Sequence, residues 1–198
     1  MWNERYAGET YFYGKEPNDF LKDNIQLIKP GHQVLCLAEG EGRNAVFIAS
    51  AISSAHVVAV DSSSVGLEKT RQLAVEKHVV VQTVCADLND YDLGIAQWDV
   101  LVSIWCHVPS ELRKRIHASA LHALKPGGCL ILEAYTPTQL KYSTGGPKSE
   151  DLLMTLSSLR DELHGLEITV GQELERNVIE GQGHTGMSAV VQLIAKKP

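Results

Sequence analysis

Residues 36–45 read CLAEGEGRNA, an apolar stretch that runs into two glycines, two glutamates and an arginine. The run HQVLCLAE (32–39) is a short buried strand by its apolar character, and RNAVFIASAI (43–52) is helical. The loop therefore sits at a strand-to-helix turn. In an open α/β sheet, ligands bind at the carboxyl ends of the strands, beside the first one. Gly40 and Gly42 let backbone approach a ligand without a Cβ clash, and the start of the helix offers free N–H groups. Phosphate is a frequent guest of such loops, yet this one lacks the phosphate patterns. No Lys-Ser or Lys-Thr follows the glycines, and the third glycine of GxGxxG is missing. Glu39 and Glu41 would repel phosphate. They suit a cationic or hydroxyl-rich ligand instead.

Further along, β-branched HVVAVD (56–61) predicts a second strand and VGLEKTRQLAVEKH (65–78) a helix with Leu67, Leu73 and Ala74 on one face. Strands are expected over 79–87 and 98–106, then a helix over 110–124 with Ser110 as N-cap and a stop at KPGG. A fifth strand follows over 129–135, then a polar loop and a helical stretch, EDLLMTLSSLRDEL. The closing runs EITVGQELERNV and GMSAVVQLIA are joined by too few residues for a helical crossover, so they pair as an antiparallel hairpin. Alternating strands and helices mean a parallel sheet covered on both faces. With 198 residues, the chain suits one domain, 1–198, and is short for two.

Net charge is −6, which argues against nucleic acid or an anionic membrane as partner. The four cysteines are scattered through apolar runs, with no CxxC pair, and read as buried thiols of a reducing compartment. The start lacks a basic, apolar leader, and no run approaches the roughly twenty apolar residues of a membrane span. A cytoplasmic location is expected. The histidines show no metal-binding spacing, so no metal site is expected.

Two more acids complete the ligand pattern. Asp61, with Ser62 beside it, ends the second strand roughly twenty residues beyond the glycines, where a carboxylate accepts from ribose hydroxyls. Asp87 ends the third, placed to accept from an adenine amino group, with Ala86 and Leu88 supplying backbone and apolar contacts. An adenosine without phosphates, carrying an amino-acid tail, fits this set: S-adenosylmethionine.

LAEGEGRNA, VAVDSSSVGLEK, CADL and LKPGGCLILEAY, in that order over residues 33–135, resemble the class I S-adenosylmethionine-dependent methyltransferases. WNERYAGETYFYGKEPNDFL and the later TGGPK look like the small tellurite-resistance and thiopurine methyltransferase-like branch. The resemblance implies a Rossmann-like, doubly wound, mostly parallel seven-stranded sheet with a C-terminal antiparallel strand. It implies S-adenosylmethionine as cofactor, and residues 1–30 as a cover over cofactor and substrate. It also implies a backbone contact at Ala38, while Arg43, which opens the helix, either serves the cofactor tail or only caps the turn. Cys36 stands where the motif commonly has an acid, and Ala38 where its first glycine lies, so Glu39 or Glu41 takes the methionine ammonium. Arg5 is the candidate partner of the methionine carboxylate, a plain surface arginine being the alternative, and Tyr13 a candidate contact. Ser103 and Ile104, with Trp105, fall beside the reactive methyl. His107 is the candidate acid–base residue. Tyr142 and Lys148 belong to a glycine-hinged loop that reads as a substrate lid or a long connection.

The expected acceptor is a small molecule with a soft nucleophile, and the protein a monomer or homodimer. The alternatives are a degenerate, cofactor-binding sensor or, on the same sheet, a nicotinamide-dependent oxidoreductase.

Overall fold

A computed structural model describes all 198 residues. Seven strands form one sheet: β1 Gln33–Leu37, β2 His56–Asp61, β3 Gln82–Cys85, β4 Trp98–Ile104, β5 Leu124–Tyr135, β6 Glu167–Glu180 and β7 His184–Lys196. Their order is β3-β2-β1-β4-β5-β7-β6. Only β7 runs against both of its neighbours, and β6 and β7 form the expected hairpin. Six helices accompany them: α1 Trp2–Tyr6, α2 Asp19–Asp23, α3 Arg43–Ala51, α4 Ser64–Glu76, α5 Ser110–Ala123 and α6 Leu156–Glu162. No helix is long and apolar enough to cross a membrane.

Alternation along the strands builds two cores. Leu35, Leu37, Val58 and Val60 face α5 and α6, while Val34, Cys36, Val57 and Ala59 face α3 and α4. Both sides of each central strand are thus apolar, as parallel strands require. Leu67, Leu73 and Ala74 lie buried on one face of α4, as their spacing predicts.

Three boundaries differ from expectation. Ser110 is the first residue of α5 and not its cap; its hydroxyl donates to Asp151 at 2.5 Å. The KPGG segment lies within β5, which begins directly after α5. Residues 150–163 do not form one helix. A 3-10 turn at Glu150–Leu152 gives way to extended chain before α6, because Arg113 takes the Asp151 and Leu153 carbonyls and the Met154 N–H donates to Tyr135. Thr155 and Ser158 then close a capping box that restarts the helix.

Ile131 is fully buried at the middle of β5, against Ile194 of β7. Ile131→Val should cost roughly 0.5–1.5 kcal/mol and Ile131→Ala roughly 2–5 kcal/mol in urea unfolding, by lost burial and the void left behind.

Candidate functional site

The carboxyl ends of β1 to β4 open into one cavity of about 640 Å³. Ala38 and Glu39 line it after β1, Asp61 and Ser62 at the end of β2, and Asp87 and Leu88 after β3. Ile104 and Trp105 line it at the end of β4. Three segments distant in sequence wall it in: Met1 to Tyr13, Gly145 to Lys148, and Gln182 to His184 at the β6–β7 turn.

The three acids on the β1–β3 side are held by backbone and keep acceptor capacity. Asp61 accepts from Gly40 N–H at 2.9 Å and Ser63 N–H at 2.7 Å, one on each oxygen. A carboxylate offers about four lone-pair sites, so places remain for hydroxyls. Burial raises its pKa against those two donors. Asp87 takes the Asn89 N–H on one oxygen, leaving the other open. Glu39 accepts from Asn44 and Ala45 N–H groups with one oxygen, at 2.9 and 2.8 Å, capping the start of α3. Its other oxygen has no protein partner. Burial pushes the Glu39 carboxyl up to about 7, with the α3 donors and Arg43 pulling the other way.

Glu41 is a correction. It is buried and does not line the cavity. One oxygen accepts from Phe12 N–H at 2.8 Å and Tyr13 N–H at 3.4 Å, and the other pairs with Lys69 at 2.8 Å. It fastens the N-terminal cover and has no reach to a ligand. Gly40 and Gly42 are also used differently. Both have positive φ, and a Cβ on Gly40 would sit 2.7 Å from the Tyr6 hydroxyl, one on Gly42 2.6 Å from Thr70. They admit neighbours from α1 and α4, not a ligand. Ala86 packs against the core and Ser103 is buried within β4, so neither lines the cavity.

The N-terminal segment reaches the cavity. Arg5 and Tyr13 line the cavity, joined by a bond from Arg5 Nη1 to the Tyr13 hydroxyl at 3.1 Å. The Arg5 cation lies 4.8 Å from the Trp2 ring. Arg43 reaches the cavity wall, but its guanidinium pairs with Glu180 at 2.6 Å and donates to the Glu16 carbonyl. Its cation is already matched. Of the glycine-hinged loop, Lys148 borders the cavity and Tyr142 does not.

His107 is the second correction. Its Nδ1 lies 2.8 Å from the Leu152 carbonyl and so carries the proton, while Nε2 accepts from Tyr135 N–H at 3.4 Å. Burial lowers its pKa to about 4. With both nitrogens occupied by backbone, the ring has no position for moving a substrate proton.

Two residues were missed. Glu180 ends β6 and accepts from Trp105 Nε1 at 2.5 Å and from Asn18 Nδ2 at 2.8 Å, beside its Arg43 pair. His184 opens β7 and faces the cavity. A glycine-rich turn between strands signalled only a hairpin. Trp105 has φ +56°, a backbone state that a bulky residue rarely occupies outside functional sites.

The residues fit S-adenosylmethionine. A cavity of this size lies within the roughly 300–1,000 Å³ usual for small-ligand sites. Acids with spare acceptor sites end the first three strands, where a nucleoside and an ammonium need them.

Residues 34–128 match the family model described as a methyltransferase domain. No curated protein sequence matches the chain. Among solved structures, the fold is shared with a protein described for conversion of a disulfide bond into a thioacetal group during echinomycin biosynthesis. That likeness has a TM-score of 0.76 at 16% identity, over 98% of this chain and 87% of that one. TehB from Haemophilus influenzae superposes with a TM-score of 0.74 at 16% identity, over 100% of this chain and 66% of TehB. A SAM-dependent methyltransferase from Methanosarcina mazei follows with 0.69 at 15%, over 92% and 98%. At such identities the likeness speaks for the fold alone. Taken with the domain match over just under half of the chain, the ordered strand-end motifs and the 3-2-1-4-5-7-6 sheet, it gives the chain a methyltransferase domain of the class I, S-adenosylmethionine-dependent fold.

Proposed function

We propose that the methyl acceptor is a small molecule with a soft nucleophile, a thiol or a selenium or tellurium oxyanion. The observation that carries this reading is the division of the cavity. Its β1–β3 side presents Glu39, Asp61 and Asp87, whereas its other side presents Phe12, Tyr13, Trp105 and His184. Sulfur and its heavier relatives are polarizable and pack well against aromatic rings. The fold relative named for its work on a disulfide supports a sulfur acceptor.

S-adenosylmethionine, when bound, supplies a methyl group on a sulfonium, already an activated electrophile. This chain's residues bind, orient and dry the site. Asp61 would accept from the ribose hydroxyls, Asp87 from the adenine amino group, and Glu39 from the ammonium. Arg5 would pair with the methionine carboxylate. The N-terminal cover, fastened by Glu41 and Lys69, excludes water, and alignment of acceptor with methyl is the main task left to the protein.

Calorimetry should show binding of S-adenosylmethionine and of its demethylated product, and mass spectrometry should find methyl transfer to small thiols or selenium and tellurium oxyanions. Transfer only to hydroxyl or amine acceptors would refute the soft-nucleophile reading.

Glu39 gives a second expectation. Its folded pKa of about 7 lies above its ordinary 4.5, so ionisation costs the free protein stability as pH rises through that window. An ammonium ligand favours the ionised form. Affinity for S-adenosylmethionine should rise on the order of tenfold between about pH 5.5 and 7. Methylthioadenosine, which lacks the amino-acid tail, should show no such rise, and Glu39→Gln should flatten it. An equal rise for both ligands would place the ammonium elsewhere.

A further inference from the structure

His184 is the cavity histidine with a nitrogen to spare. Its ring is held from three sides: Tyr13 at 4.6 Å between centroids, Trp105 edge-on at 5.0 Å, and Tyr135 edge-on at 5.2 Å. Its Nδ1 is buried without a hydrogen-bond partner, and the nearest acceptor is Glu180 Oε2 at 3.6 Å. Nε2 has no protein partner either and, unlike Nδ1, is not a fully buried atom, on a residue that lines the cavity. Glu180 and His184 sit opposite each other across the β6–β7 turn, so the hairpin itself fixes their pairing.

The sheet order separates this pair from the cofactor side. The acids that suit the nucleoside lie at or just past the ends of β1, β2 and β3, whereas Glu180 and His184 belong to the β6–β7 hairpin, reached past β4 and β5. His184 meets Trp105 edge-on, just past the end of β4 where the reactive methyl is expected. Resting on the soft-acceptor reading above, we propose that the acceptor enters as a neutral thiol and that His184 Nε2, oriented by Glu180 at Nδ1, takes the thiol proton during transfer. The thiol S–H bond would break as the new S–CH3 bond forms, with the proton ending on Nε2; the donor sulfur would keep the pair of its broken S–CH3 bond and depart as a neutral thioether.

The chemistry demands such a sink. A thiol methylated with its proton in place would leave a protonated thioether, which is far too acidic to persist. A carboxylate behind the ring fixes the tautomer and stabilises the imidazolium as it forms. Burial works against the Glu180 charge, but His184, Arg43 and Asn18 outweigh it and hold its carboxyl at about 2, so it stays ionised. Burial also lowers the His184 pKa against the pull of Glu180, with Arg43 and Arg5 adding in the same direction. The ring is therefore neutral and ready to accept at neutral pH. The 3.6 Å gap closes with a small ring shift, and such bonds are commonly long before substrate binds.

The test compares His184→Asn with the wild-type enzyme on an alkyl thiol and on a selenolate that is ionised in solution. The variant should lose at least about a hundredfold in kcat/KM with the thiol, together with the acid limb of the pH profile. With the selenolate its loss should be at least about tenfold smaller than with the thiol. Calorimetry should show S-adenosylmethionine binding retained. In the free wild-type protein, nitrogen NMR should find the His184 proton on Nδ1, a readout independent of turnover and of any variant's folding. A proton on Nε2, or an unchanged thiol rate and pH profile in His184→Asn, overturns the proposal. A wild-type enzyme that binds S-adenosylmethionine but methylates no thiol overturns the thiol reading, and this proposal with it.

Discussion

The carboxylate of Glu180 gathers four separate parts of the chain around one buried charge. It is almost wholly buried, and a buried charge is tolerated only when it is paired and hydrogen-bonded. Arg43 reaches it from α3, Asn18 from the segment before α2, Trp105 from the end of β4, and His184 from across the hairpin. Arg176 lies 3.8 Å from it and anchors Glu133 of β5 at 2.8 Å. Replacing one partner would leave the others with an unmatched charge in a dry place, where the penalty is large. The far edge of the sheet is thereby locked to the helix that opens the cofactor loop.

The glycine loop is shaped by the same economy of space. Its two glycines face Tyr6 and Thr70, and its second glutamate faces the backbone of residues 12 and 13. Only Glu39 of that loop turns a free oxygen to the cavity. A loop that looks built for a ligand is in large part built to seat its own cover. That cover then supplies Arg5, Tyr6 and Tyr13 to the wall.

Much of the fold was legible because strand and helix periods are local. β2 lies where its β-branched run predicts, and the hairpin follows from a connection too short for anything else. The cavity acids Asp61 and Asp87 were legible for a related reason: a strand's carboxyl end is a position in sequence as well as in space. The acceptor side was not. Its walls come from residues 1–13, 145–148 and 182–184, and no periodicity says that these meet. His107 follows β4 and so resembled the reactive histidine, yet the backbone groups that occupy its nitrogens belong to Leu152 and Tyr135, far along the chain. Glu180 falls in a strand of alternating polar residues, where a glutamate reads as a solvated face.

Trp105 shows why the hub and the cavity need each other. A left-handed backbone state for a bulky residue costs roughly 1–3 kcal/mol and persists only where surroundings fix it. Here the Trp105 N–H donates to the Glu133 carbonyl at 2.9 Å, its ring stacks on Tyr135 at 4.3 Å, and its indole N–H donates to Glu180. Those contacts hold the ring where the acidic and aromatic sides of the cavity meet. The strain therefore sits at the line where the acidic and aromatic walls meet, and the charge network around Glu180 keeps it there.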